Sequence, residues 1–124
     1  MNLQVLVVDD ESVTRRVVTH TLRALAEVEV LTAEDGSIAL DLAQSATIAL
    51  AIIDINLPDM DGFELMRRLK AMPHLQHVPM IAFTARNHPD DQHMALEVGA
   101  AGFLYKPFST QEMRELVRLH LGLQ

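Results

Sequence analysis

No cysteine occurs among the 124 residues of this chain, so neither a disulfide framework nor a thiolate metal site can form, and a reducing, cytoplasmic setting is expected. Long apolar runs are missing as well. The first hydrophobic stretch, Leu3–Val8, ends in acid without the basic flank or the length of a signal peptide or a membrane span, so no targeting segment and no membrane insertion are expected. Basic side chains are scarce: 10 Lys and Arg stand against 17 Asp and Glu, a formal net charge of -7. Such a surface repels phosphate backbones and anionic membranes, which argues against direct nucleic-acid binding. Low-complexity tracts and fixed repeats are absent too, and the longest candidate loop, residues 73–78, is too short to be an interdomain linker. Residues 1–124 therefore read as one domain, with 49% hydrophobic and 22% charged residues to build its core and its surface.

Short apolar runs rich in branched residues recur at Leu3–Val8, Val28–Leu31, Ile48–Ile53, Pro79–Phe83 and Phe103–Tyr105, each of a length that suits a buried strand. Between them apolar residues fall at helical spacing: Val13, Val17 and Leu25; Ile38 and Leu42; Phe63, Met66 and Leu69; Met94 and Val98; Met113, Leu116 and Val117. Punctuation agrees, because Asp35-Gly36 and Asp61-Gly62 suit helix starts, Gly99 suits a left-handed cap, and Ser109 precedes a last amphipathic helix over residues 111–121. Strand and helix in alternation predict an α/β fold of parallel strands with helices on both faces of the sheet.

In open parallel sheets ligands collect outside the carboxyl ends of the strands. There the first strand delivers Asp9, Asp10 and Glu11, the third Asp54, the fourth Thr84 and the fifth Lys106. Carboxylates brought this close repel unless a cation compensates, and oxygen donors without His or Cys favour a hard divalent ion such as Mg²⁺. A carboxylate so neutralised can attack phosphorus to form an acyl phosphate while metal and lysine absorb charge on the transferred oxygens, and Asp54 is placed for attack. Any one of these aspartates alone would read as a cap or turn former, and Asp10 and Glu11 also suit capping the first helix. Their joint occurrence with Thr84 and Lys106 at four strand ends favours chemistry.

Taken together, Val7-Val8-Asp9-Asp10-Glu11, the segment Asp54-Ile55-Asn56-Leu57-Pro58-Asp59-Met60-Asp61-Gly62, Phe83-Thr84-Ala85 and Lys106-Pro107-Phe108 resemble the receiver domains of two-component signalling, over nearly the whole chain. The resemblance implies a doubly wound, flavodoxin-like five-stranded parallel sheet in the order 2-1-3-4-5, an order for which a regulator of this family is a standard illustration. It further implies that Asp54 accepts a phosphoryl group from the phosphohistidine of a histidine kinase or phosphotransfer protein. Asp9 and Asp10 would form the acid pocket. Mg²⁺ or Mn²⁺ would be held by Asp10, Asp54 and the Asn56 backbone carbonyl, with Asp9 acting through water. Thr84 and Lys106 would contact the phosphoryl oxygens, and Phe103 matches the switch aromatic, although an ordinary core aromatic is an equal reading. Asn56 and Arg86 match positions that influence the lifetime of the acyl phosphate, and a cis Lys106-Pro107 bond is also implied.

Such a domain is a switch and not an enzyme in the ordinary sense: it catalyses only its own phosphorylation and dephosphorylation, and the surface of its fourth helix, fifth strand and fifth helix would regulate a protein target or a fused output domain. Arg15-Arg16 reads either as a solvated face or as part of a kinase-docking helix. Gly99-Ala100-Ala101-Gly102 departs from the acidic pattern of the branch that dimerises through the fifth strand. The six histidines are scattered and build no zinc pattern. A phosphatase of the haloacid dehalogenase type would want a second Asp where Asn56 stands. Flavin binding would want a phosphate cradle where Asp9-Asp10-Glu11 would repel one. A receiver without chemistry would not need all five pocket residues.

Overall fold

The computed structural model describes residues 2–85 and 88–123. The chain alternates through β1 (Leu3–Val8), α1 (Ser12–Arg23), β2 (Val28–Ala33), α2 (Gly36–Ser45), β3 (Ile48–Asp54), α3 (Gly62–Lys70), β4 (Met80–Thr84), α4 (Pro89–Glu97), β5 (Gly102–Tyr105) and α5 (Thr110–Leu121). A 3-10 turn, Pro73–Leu75, occupies the connection read as a plain loop. The five strands pair in parallel in the order β2-β1-β3-β4-β5, as the resemblance implied.

Successive strand residues point to opposite faces, so the central strands supply two cores. Val5, Val7, Leu50, Ile52, Ile81 and Phe83 meet Val18 and Leu22 of α1 and Met113 and Val117 of α5. Leu6, Val8, Ala51, Ile53, Met80 and Ala82 meet α2, α3 and α4 through Ala39, Ala43, Phe63, Met66, Leu69 and Ala95. Helix starts follow the expected punctuation, with Asp35 accepting from the Ile38 N–H, Asp61 from Phe63 and Ser109 from Glu112. Gly99 takes the expected left-handed conformation behind α4 at φ +80°.

Two helix faces differ from expectation. Val13 and Val17 of α1 are 63% and 44% exposed, and the buried stripe is Val18, Thr21 and Leu22. On α2, Ile38 turns outward while Ala39 and Ala43 face the sheet. Several apolar residues on one short helix fit more than one stripe, and packing against the sheet selects the one that seats the axis best.

The start of α2 is tied down across the fold. Besides the local Asp35 cap, the Gly36 and Ser37 N–H groups donate to Oδ1 and Oδ2 of Asp59, at 2.9 and 3.0 Å, from the loop after β3. Three orphan amide donors of the first turn thus point at two carboxylates, where the helix dipole also favours negative charge. The slight burial of Asp59 works against its charge, but the N–H groups of Gly36 and Ser37 outweigh it and hold its carboxyl below the ordinary 3.8. A depressed carboxyl value stabilises the fold above the unfolded value and loses that contribution as pH falls through the folded value. Asp59→Ala is expected to lower unfolding stability at neutral pH by about 1 kcal/mol, the usual cost of a lost helix cap. The gap from wild type in urea melts should close as pH is taken below 3.8.

Candidate active site

Parallel pairing sets the strand ends side by side. Val8 of β1 pairs with Ile53 of β3, Asp54 with Phe83 of β4, and Thr84 with Tyr105 of β5. The residues at or just beyond these ends are therefore Asp9, Asp54, Thr84 and Lys106. Main-chain bonds carry the alignment past the strands: the Asp9 N–H donates to the Ala33 carbonyl, Ile55 to Phe83 and Lys106 to Thr84, the last at 2.8 Å.

Lys106 crosses this edge and joins the acids. Its ammonium donates to Asp9 Oδ2 at 2.6 Å, to Asp54 Oδ2 at 2.9 Å and to Glu11 Oε1 at 3.4 Å. The ring of Phe83 lies beneath it, 4.7 Å from Nζ to the centroid, so the cation is also held by an aromatic face. The other carboxylate oxygens are not idle. Asp9 Oδ1 accepts from the Glu11 N–H and Asp54 Oδ1 from the Asn56 N–H, at 2.8 and 2.9 Å. Asp9, Asp54 and Thr84 are buried, and among the described residues no buried side-chain nitrogen or oxygen is left without a partner.

Burial shifts the titration of this group. For Asp9 the loss of water dominates and, helped by the neighbouring Asp54 charge, raises its carboxyl above the ordinary range despite Lys106. For Lys106 burial disfavours the charge, but the hydrogen bonds to Asp9 and Asp54 prevail and raise the ammonium above 10.5. Lys106 is thus a fixed cation and Asp9 the acid under strain.

The sequence reading brought Asp9, Glu11, Asp54 and Lys106 to this edge, and the structure places them together. The carboxylate oxygens that lie within 4.8 Å of one another belong to Asp9, Glu11 and Asp54, whereas Asp10 is exposed. Glu11, read as part of the acidic strand end and also as suited to cap the first helix, stands at the N-cap of α1 but makes no side-chain cap bond. Its signal in the sequence was its place two residues after Asp9, where a turn can bring it back. Phe83, read as a core strand residue, has the further task of supporting Lys106. Arg15 is not merely solvated, since it donates to the Asp9 carbonyl at 2.7 Å. Phe103 is half-buried with its ring 5.1 Å from that of Tyr105, the Lys106-Pro107 bond is cis, and Asn56 forms a bridge with Asp61. Arg86 lies outside the described residues. None of the six histidines joins the acidic group; His74 instead faces the Ala43 carbonyl near the end of α2 at 2.8 Å.

Three close carboxylates with no nitrogen or sulfur donor fit a small, hard divalent cation, and the lysine beside them fits an anionic oxygen. Beside the pocket runs a groove of about 310 Å³ lined by Val13, Thr14, Val17, Ala85, Lys106, Pro107 and Phe108, so the valines that α1 leaves exposed border the acid cluster.

Comparison with known proteins agrees with this geometry. Residues 5–118 match the model of the response regulator receiver domain. The chain is similar to the chemotaxis protein CheY of Pseudomonas aeruginosa, 33% identical over 115 residues that cover 93% of each chain. Among solved structures it is similar to the chemotaxis protein CheY4 of Vibrio cholerae, with a TM-score of 0.91, 35% identity, and 98% and 100% of the two chains covered. It is similar also to the receiver domain of a sensor histidine kinase of Pseudomonas aeruginosa, with a TM-score of 0.88 and 29% identity over 98% and 99% of the chains; that structure carries a magnesium ion coordinated in its active-site cleft. With the matched fold, the matched length and the acid–lysine pocket at the strand ends, the chain belongs to the response regulator receiver domains of two-component signalling.

Proposed function

We propose that this receiver takes a phosphoryl group onto Asp54 from the phosphohistidine of a histidine kinase or phosphotransfer protein, and that the change alters its surface toward a protein target or a fused output domain. The observation that carries this reading is the Lys106 ammonium shared between Asp9 and Asp54 at 2.6 and 2.9 Å. By the family resemblance Asp10, Asp54 and the Asn56 backbone carbonyl would hold Mg²⁺ or Mn²⁺, with Asp9 through water; the carboxylates that come within 4.8 Å of one another are those of Asp9, Glu11 and Asp54, so Glu11 stands close by. When bound, the ion would neutralise the acids and the charge that develops on the transferred oxygens.

The chain's own groups account for the rest. An Asp54 carboxylate oxygen bonds to phosphorus as the phosphorus–nitrogen bond of the donor breaks, its electron pair remaining on the imidazole, which takes up a proton from solvent. Lys106, already on Asp54, would turn to the new phosphoryl oxygens, and the buried Thr84 hydroxyl at the adjacent strand end would do the same. Movement of Thr84 would drag the end of β4 and with it the paired Tyr105, and half-buried Phe103, which pairs with Ala82 two residues before Thr84, would follow, so charge at the pocket would become a change on α4, β5 and α5. The apolar groove beside Lys106 supports a protein as the phosphodonor. A cytoplasmic location is part of the proposal; among the described residues no helix is long and apolar enough to cross a membrane.

Incubation with Mg²⁺ and a small phosphodonor is expected to add the mass of one phosphoryl group, stable to acid and labile to base, and Asp54→Ala should lose it. An alanine variant labelled at the wild-type level would sink the assignment. Mg²⁺ at a hundred times its dissociation constant should stabilise the wild type by about 2.7 kcal/mol through linkage, an increment that calorimetric melts of Asp54→Ala should show much reduced. In metal-free buffer Asp9→Asn should melt higher than wild type, because burial opposes the Asp9 charge. Since that carboxyl is raised on folding, the wild type gains stability as it takes up the proton, and the difference should narrow as pH falls through the folded value.

A further inference from the structure

We propose that Gly62 is a positioning residue for the phosphoacceptor: the bare first residue of α3 is pressed against the peptide that follows Asp54 and thereby sets where the Asp54 carboxylate and the Asn56 carbonyl stand. The inference rests on the reading of Asp54 given above. After β3 the chain loops through residues 55–61 and returns on itself, the Gly62 N–H donating to the Ile55 carbonyl at 3.0 Å and Asn56 bridging Asp61. A methyl group at position 62 would overlap the Asp54 carbonyl oxygen and lie 2.5 Å from Ile55 Cα and 3.0 Å from the Asp54 carbonyl carbon. All are backbone atoms, which cannot swing aside as a side chain can. Gly62 has no positive φ, so what the position demands is space and not an unusual conformation.

Neither neighbour yields easily. On one side α3 is seated by Phe63, Leu65, Met66 and Leu69, all buried in the core, and its first turn is capped by Asp61 Oδ1 on the Phe63 N–H at 2.7 Å. On the other side Ile55 is bonded to the Phe83 carbonyl of β4. The loop between them is held to α2 through Asp59. A side chain at 62 would therefore strain both, and the atoms it would meet belong to the Asp54–Ile55 peptide, which follows the phosphoacceptor and leads on to the Asn56 carbonyl. Displacement of reacting groups by about 1 Å costs rate by as much as a hundredfold.

The test compares wild type, Gly62→Ala and Val117→Ala, the last a buried residue of α5 on the opposite core that serves as a destabilised control. Each is measured for melting temperature, for backbone NMR shifts without metal, for Mg²⁺ affinity by calorimetry without phosphodonor, and for the initial rate of Asp54 labelling. Gly62→Ala is expected to shift resonances chiefly at residues 54–56, to weaken Mg²⁺ binding roughly tenfold and to slow labelling by tenfold or more, while Val117→Ala keeps wild-type affinity and rate. A folded Gly62→Ala protein with wild-type shifts, affinity and rate would overturn the proposal, as would equal losses in Val117→Ala. If Gly62→Ala does not fold, Asp61→Ala decides. That exposed residue frees the first turn of α3 without adding bulk, so a smaller loss of the same pattern supports the proposal and unchanged values overturn it. A wild type that takes no label would instead defeat the phosphoacceptor reading, and the metal-free shifts would still judge the role of Gly62.

Discussion

Around one buried ammonium group the acid edge of this sheet becomes tolerable. Asp9 and Asp54 come from different strands, sit almost out of reach of water, and would repel each other strongly if left alone. Lys106, from a third strand end and resting on the Phe83 ring, donates to both and to Glu11. Even so the compensation is incomplete, because burial still holds the Asp9 carboxyl above its ordinary range. Three close carboxylates held by one lysine are a setting that a small divalent cation would fit.

The scaffold around it is built to hold the acids in place. Two apolar layers grip the central strands, so the bodies of β1, β3 and β4 are held from both faces. The loop after Asp54 is fastened at both of its neighbours: Asp59 receives the first amides of α2, and Gly62 lies against the Asp54–Ile55 peptide. Residues that do not touch the Asp54 carboxylate thus share in fastening the loop that follows it. On the other side of the site β4 and β5 meet, Thr84 pairing with Tyr105 and Phe103 with Ala82 two residues earlier.

Much of this was legible residue by residue. The run Leu3–Val8 closing on Asp9, the run Ile48–Ile53 closing on Asp54, and the turn pairs Asp35-Gly36 and Asp61-Gly62 mark strand ends and helix starts by chain-local physics. Where the reading failed, the deciding contact was remote. Val13 and Val17 have the spacing of a core face, yet Val18 and Leu22 face the sheet once α1 docks on it alongside α5. Glu11 has the position of a helix cap, yet its carboxylate turns to Lys106, because an ammonium is a stronger partner for it than a solvated amide.

The order of strands and helices, the caps that open the helices, and the kinds of side chain delivered to the carboxyl edge were determined by the sequence alone, because periodicity, turn chemistry and residue type act within a few positions along the chain. Tertiary structure decided which acids share the lysine, which face of α1 is buried, that an aromatic ring underlies the cation, and that Asp59 reaches α2. Those outcomes depend on how separate elements stack and cross: Lys106 meets Asp9 across 97 positions and Asp59 meets Gly36 across 23. At such separations only the folded arrangement sets a distance.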